Sequence, residues 1–379
     1  MRFPTTNLCG LTSSAFEPLK KVYYCKDLKS GMTAGNVYLL RDRCLLTNSV
    51  SDYLKIGKSV NATNTRISQH QTGNPRVIFD VGTTTFPYMT NAETYLHHWF
   101  SEDRIHGEWF DIDATRMAAE VVPKIADLLA EQNAYAANEA LIDSLKTAFD
   151  NGNVRAPTSA EQTLSDELRD AREALKIAKA QHEIHDFALR SAIGTDNGIE
   201  DILTLIEKTQ ADYFDKAAFI ASLSPTQFAL CHSSGSQFES KINFENKGQS
   251  LKALDPGLAA SRSAAKTASP TTIPLSNLAN PETPRSSSLE TLHTDWLSTR
   301  KAIAEQSWII KQKEAELKVS IGLDQEITGV LKWTRGNVAY VDKWSKADAD
   351  ANLATEVASF TSPRSNIVAV EINECRPYP

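Results

Sequence analysis

The chain has 379 residues, 41% hydrophobic and 23% charged, and a formal net charge of −7. That length exceeds one compact core and predicts two or three domains, while no apolar run approaches the ~20 residues of a membrane span. The acidic balance counts against an indiscriminate nucleic-acid grip, which rests on clustered Lys and Arg, so any nucleic-acid footprint must be local.

The amino terminus, Met1 to Asn7, lacks a hydrophobic signal core. Cys9, Cys25, Cys44, Cys231 and Cys375 are scattered, with no CxxC pair. Together these predict reduced thiols in a cytoplasmic protein without a structural metal.

Residues 1–33 form an N-terminal extension. Residues 36–41 and 53–58 are β-type runs joined by a polar connection, which predicts a hairpin with a longish loop. Asn61 to Gln71 is helical in pattern, with Asn61 or Thr63 as cap and Gly73-Asn74-Pro75 as stop. Arg76 to Phe86 is a third strand, Asn91 to Ser101 a second helix, Trp109 to Ile112 a short strand, and Ala114 to about Ala130 a helix. The order ββαβα describes a small α/β domain, residues 34–135, with an antiparallel sheet flanked by helices.

Beyond residue 150, Thr158 to Leu189 and Leu289 to Val319 carry charges and Leu/Ala at helical intervals. These long helices could pair with each other or across subunits. Gly248 to Ser288 is dense in Ser, Ala, Pro and Thr and is expected to be a disordered linker. Both helices end alike: Leu189 to Ile199 aligns with Leu317 to Ile327, each stopped by a glycine, Gly194 or Gly322, and each expected to be followed by a hairpin. Tyr213-Phe214-Asp215-Lys216 then aligns with Tyr340-Val341-Asp342-Lys343. Two helix-plus-hairpin modules, residues 155–247 and 289–379, follow from this repeat.

Several polar residues of the first domain fall into chemically useful pairs. Tyr38 lies in the first strand. In the second, alternation puts Tyr53, Lys55 and Gly57 on one face, so Tyr53 or Lys55 can serve a site while Gly57 admits a close backbone. Lys58 points to the opposite face unless the strand has ended. Arg66 and His70 are four apart and share a helix face, as do Glu93 and His97. A carboxylate such as Glu93 suits a hard Mg²⁺ or Mn²⁺ that keeps several waters.

Read in order, Asn36-Val37-Tyr38, Lys55-Ile56-Gly57, Arg66, Glu93 and Gly107-Glu108-Trp109-Phe110 resemble a GIY-YIG nuclease domain, in particular its KIG branch of phage-type Orf DNA-binding and fungal meiotically up-regulated type domains. The resemblance covers residues 34–130. It implies Tyr38 as general base or nucleophile-orienting group, Lys55 and Arg66 as phosphate-binding cations, Glu93 as ligand of a single Mg²⁺ or Mn²⁺, and His97 in support. Tyr53, Gly57, Lys58 and His70 become DNA contacts, and Gly107 to Phe110 reads as structural. The segment Gly329-Val330-Leu331-Lys332-Trp333 is similar to the tail hairpin of lambda-exonuclease-like (YqaJ-type) phage recombinases.

Three functions follow: a metal-dependent DNA endonuclease, a non-catalytic DNA-binding protein on the same fold, and a phage or prophage interaction protein whose repeats carry the activity.

Overall fold

A computed structural model describes residues 33–378 except 62, 73 and 271. All but the last residue of the N-terminal extension, and Gly73 of the helix stop, lie outside the described residues.

The first sheet runs β3-β1-β2-β5-β4, from β1 (Gly35–Cys44), β2 (Tyr53–Ser59), β3 (Arg76–Phe86), β4 (Arg104–His106) and β5 (Trp109–Asp111). Every pairing in it is antiparallel. Strand alternation sorts its side chains. Val37, Leu39, Leu54, Ile56 and Phe110 enter the main core, while Tyr38 and Leu40 turn to the other face with Ile67 and Ile78. Helix α1 (Thr63–Gln71) supplies Ile67 and covers that second face. Helix α2 (Met89–Trp99) lies on the first, with Leu96 and Ala92 fully buried.

A short helix α3 (Ala114–Arg116), capped by Asp113, leads through a π-turn at Met117–Val121 into α4 (Val122–Lys146). The expected boundary at 135 therefore falls inside a helix. No core boundary lies there either, because Tyr135 packs on Trp308 at 5.2 Å between ring centroids and Ser101 Oγ donates to the Leu297 carbonyl at 2.7 Å.

The second half holds β6 (Val154–Arg155), α5 (Ser159–Ala192), β7 (Gly198–Ile199), β8 (Leu203–Lys208), β9 (Tyr213–Phe214), α6 (Lys216–Ser222), α7 (Pro225–Cys231), β10 (His232–Phe244), α8 (Leu251–Leu254), α9 (Pro256–Ala268), α10 (Ser287–Ile321), β11 (Glu326–Ile327), β12 (Leu331–Trp344), α11 (Lys346–Asn352), α12 (Ala354–Ser359), β13 (Thr361–Ser362) and β14 (Ile367–Ile372). The long helices α5 and α10 pair antiparallel within the chain, tied by Arg172–Glu314 and Lys313–Glu167.

The repeat is built into this half at one constant offset, that between Gly194 and Gly322. Both glycines have positive φ, 58° and 56°. Thr158 and Ser286, at the same offset, cap the two helices. Asp201 and Gly329 turn the two hairpins at φ 60° and 75°.

The copies are intertwined. Phe244 pairs with Leu331 as Ile372 pairs with Leu203, so the last strand of each copy completes the hairpin of the other. Likewise β6, ahead of α5, pairs with β11, and Thr283, ahead of α10, bridges to Ile199. The Tyr-x-Asp-Lys part of the alignment does not hold. Tyr213 and Phe214 form β9 and Asp215 caps α6, whereas Tyr340 to Lys343 lie within β12. The cause is a longer ladder in the second copy: β12 stays paired with β10 to Trp344, while β8–β14 breaks after Lys208 and resumes at β9–β13.

Part of the expected linker, Gly248 to Ser288, is helical. Helices α8 and α9 run along α5, where Leu251, Leu254, Leu258, Ala259 and Ala265 are half-buried at helical spacing. Arg262 pairs with Glu183, and the Gln249 N–H donates to Glu173 at 2.7 Å. A stripe of Leu and Ala needs no aromatics once a neighbouring helix supplies the apolar surface. No helix of the described residues is long and apolar enough to cross a membrane.

Candidate functional site

The site forms where the first sheet has an open edge. Strand β5 pairs with β2 only from Tyr53 to Lys55, and the last tie is the Ile56 N–H donating to the Glu108 carbonyl at 3.0 Å. From Gly57 onward β2 has no neighbour on that side among the described residues. Groups from both faces of the sheet meet there.

On the α1 face, Tyr38 stands directly across from Gly57. Its ring occupies the space that any larger residue at 57 would fill: a Cβ there would lie 2.5 Å from the Tyr38 Cζ and hydroxyl. The Tyr38 hydroxyl is 3.2 Å from His70 Nε2, and the Arg66 guanidinium lies beside it. An arginine can only donate, so the hydroxyl accepts from Arg66, and it donates its own proton to His70 in the tautomer whose ring hydrogen sits on Nδ1. Burial raises the Tyr38 pKa above its ordinary value, against the pull of Arg66. Burial, with Lys55 and Arg66 nearby, lowers that of His70 and keeps the imidazole neutral. Arg66 also donates to Gln69 at 2.7 Å, and its Nε is buried without a partner among the described residues.

On the α2 face, Glu93 takes the Lys58 ammonium at 2.5 Å. Burial raises the Glu93 pKa and Lys58 opposes it. His97 donates from Nε2 to the Ile56 carbonyl at 2.8 Å and packs on Phe110. Burial pushes its pKa down to about 3, so it is a neutral prop for β2.

Lys55 is buried and its ammonium contacts Glu108 at 2.5 Å. Glu108 thus belongs to the site, a role that sequence reading missed by taking Gly107 to Phe110 as structural. The turn sets Glu108 against Lys55 because Lys55 pairs with Trp109, a pairing made only in the folded sheet. Burial disfavours the Glu108 charge, yet Lys55 outweighs it and the pKa is lowered.

The remaining expected residues divide. Lys58 does point away from Tyr38, opposite Val37. Tyr53 lies at the far end of β2 across from Asp111, beside Asp42 and Arg76, and is half exposed away from the Tyr38 group.

Among the described residues no group of three or more His, Cys, Asp and Glu could hold a metal ion. What a hard cation finds here is one buried carboxylate, Glu93, with a half-exposed and displaceable lysine as present counter-charge. That donor fits an ion bound mainly through waters.

Comparison with known proteins bears on one part of the chain. Neither the curated proteins nor the solved structures gave a match to this chain. Residues 35–130, which contain every residue of the site, match the T5orf172 domain, a phage-type DNA-binding domain family related to the GIY-YIG nucleases.

Proposed function

We propose that the chain is a metal-dependent DNA endonuclease of GIY-YIG type that hydrolyses phosphodiester bonds. The observation that carries this reading is the Tyr38 hydroxyl, 3.2 Å from a neutral His70 and beside the Arg66 guanidinium. Arg66 binds a phosphate oxygen through its fork of donors and in doing so draws off the hydroxyl. The attacking water then gives its proton to the Tyr38 oxygen as the phenolic proton passes to His70. Lys58, half exposed, moves from Glu93 to the DNA backbone. Glu93 is the residue that would hold the divalent ion, whose chemistry is to stabilise charge on the phosphate oxygens. The intertwined repeat would contribute DNA or partner contact.

Supercoiled plasmid with Mg²⁺ or Mn²⁺ tests this. Wild type should nick it only with metal, and Glu93→Ala and Tyr38→Phe should each lose about 100-fold or more in rate. A wild type that retards DNA in a gel but never cuts it is a DNA-binding platform instead, a reading favoured by one observation: both carboxylates of the site already carry lysines.

A further inference from the structure

The two ion pairs of the site are mirror images in exposure. In one, the lysine side chain is 8% exposed and the carboxylate, Glu108, 35%; in the other, Lys58 is 35% exposed and Glu93 8%. Of these two pairs, the members shown to a bound strand are therefore the cation Lys58 and the anion Glu108, beside the Arg66 guanidinium. Lys55, the expected phosphate contact, sits behind with its charge committed to Glu108.

A carboxylate facing DNA repels phosphate, so its presence needs a reason. Two neighbours supply it. Gly57 and Lys55 lie across from Tyr38 and Leu40, so Glu108, held by Lys55, stands on the Tyr38–His70 side of the sheet. The charges that face His70 are Lys55 from β2, Arg66 from α1 and Glu108 from the β4–β5 turn. Two of these oppose a positive imidazole, and Glu108 is the one that favours it.

We infer that Glu108 is a positioning residue for the proposed reaction: anchored by Lys55, it stabilises the imidazolium that His70 becomes when it receives the proton from Tyr38. A buried Lys55 cannot swing away to water, so the carboxylate stays placed before and during the reaction. Lys55 acts through Glu108, and its buried ammonium keeps that carboxylate ionised at the mouth of the site. This assignment rests on the endonuclease reading above.

The experiment uses the full chain and three readouts on wild type, Glu108→Gln and Glu108→Asp: the His70 titration by NMR without DNA, the pH profile of cleavage, and kcat and KM separately. Glu108→Gln should lower the His70 pKa, reduce kcat about tenfold or more, and leave KM unchanged or lower, because a negative charge facing DNA has gone. Glu108→Asp should recover part of kcat. Loss of kcat and rise of KM together, with His70 titrating as in wild type, would make Glu108 a structural residue and overturn the assignment, as would full activity in Glu108→Gln. A wild type that cuts no DNA removes the endonuclease reading itself and this inference with it. The two failures are told apart by the wild-type lane alone.

Discussion

Gly57 and Tyr38 share one space. They face each other across the β1–β2 ladder, and the Tyr38 ring lies where a side chain at 57 would begin. Gly57→Ala forces the ring off its position or splits the two strands. It should cost about 1–3 kcal/mol, read as a lower midpoint in thermal or urea unfolding, and should impair cleavage in proportion to the displacement of Tyr38. Unchanged stability would mean that the ring moves freely.

The mirrored ion pairs predict unequal costs for their partners. Removing the exposed member strands a buried charge, whereas removing the buried member frees a group that water already reaches. Glu108→Ala should destabilise by about 2–4 kcal/mol and Lys55→Met by about 1. Lys58→Ala should likewise cost more than Glu93→Gln, though Glu93 can escape by taking up a proton. Equal losses in urea melts would contradict the burial assigned to each pair.

Acid should act on the second half through Glu161. Its carboxyl is drawn down to about 2, chiefly by Arg155, with Ser320 and Thr158 assisting. A carboxyl whose folded pKa is depressed adds stability that is full above its ordinary value of 4.5 and is lost as pH falls toward 2. Glu161→Gln should therefore be about 1–2 kcal/mol less stable than wild type at pH 7 after allowance for solvent screening. The two proteins should converge as pH falls to about 2. A gap that persists there would mean that the glutamine disrupts the cap by its shape.

The exchange of strands predicts that neither copy stands alone. Truncation after residue 366 removes β14, which leaves β8 without its partner along Leu203–Lys208. It also removes Glu374, which joins Arg104 of the first sheet to Arg300 of α10. Limited proteolysis should then cut in β8, although β8 is far from the truncation in sequence. Gly194→Ala and Gly322→Ala offer a finer comparison. Both glycines adopt positive φ with open space around the missing Cβ, so each substitution should cost about 1 kcal/mol or more from backbone strain alone, and Gly322→Ala the more of the two because its ψ of −125° lies outside the left-handed helical region.

Much of the first domain was legible because its signals are local. The third strand was expected at Arg76–Phe86 and lies there, since its Val, Ile, Phe and Thr content and the preceding Pro75 act within a few residues. The pairs Arg66/His70 and Glu93/His97 follow from helical spacing alone. Glu108 stayed hidden because its partner is Lys55, and nothing near either residue announces a contact across 53 positions. The helices of the supposed linker were hidden for a related reason: Ala- and Ser-rich sequence folds there because α5 lies beneath it.

The sequence alone determined the main strands and helices of the first domain, the helical spacing of Arg66 with His70 and Glu93 with His97, and the existence of a repeat stopped by Gly194 and Gly322. Tertiary structure decided which copy each strand belongs to, which lysine is committed to which carboxylate, and that the site gathers at the open edge of β2. Spacing and propensity act over a few residues and are written along the chain. Burial and the pairing of opposite charges depend on which distant segments come together, and only the folded chain brings them within reach.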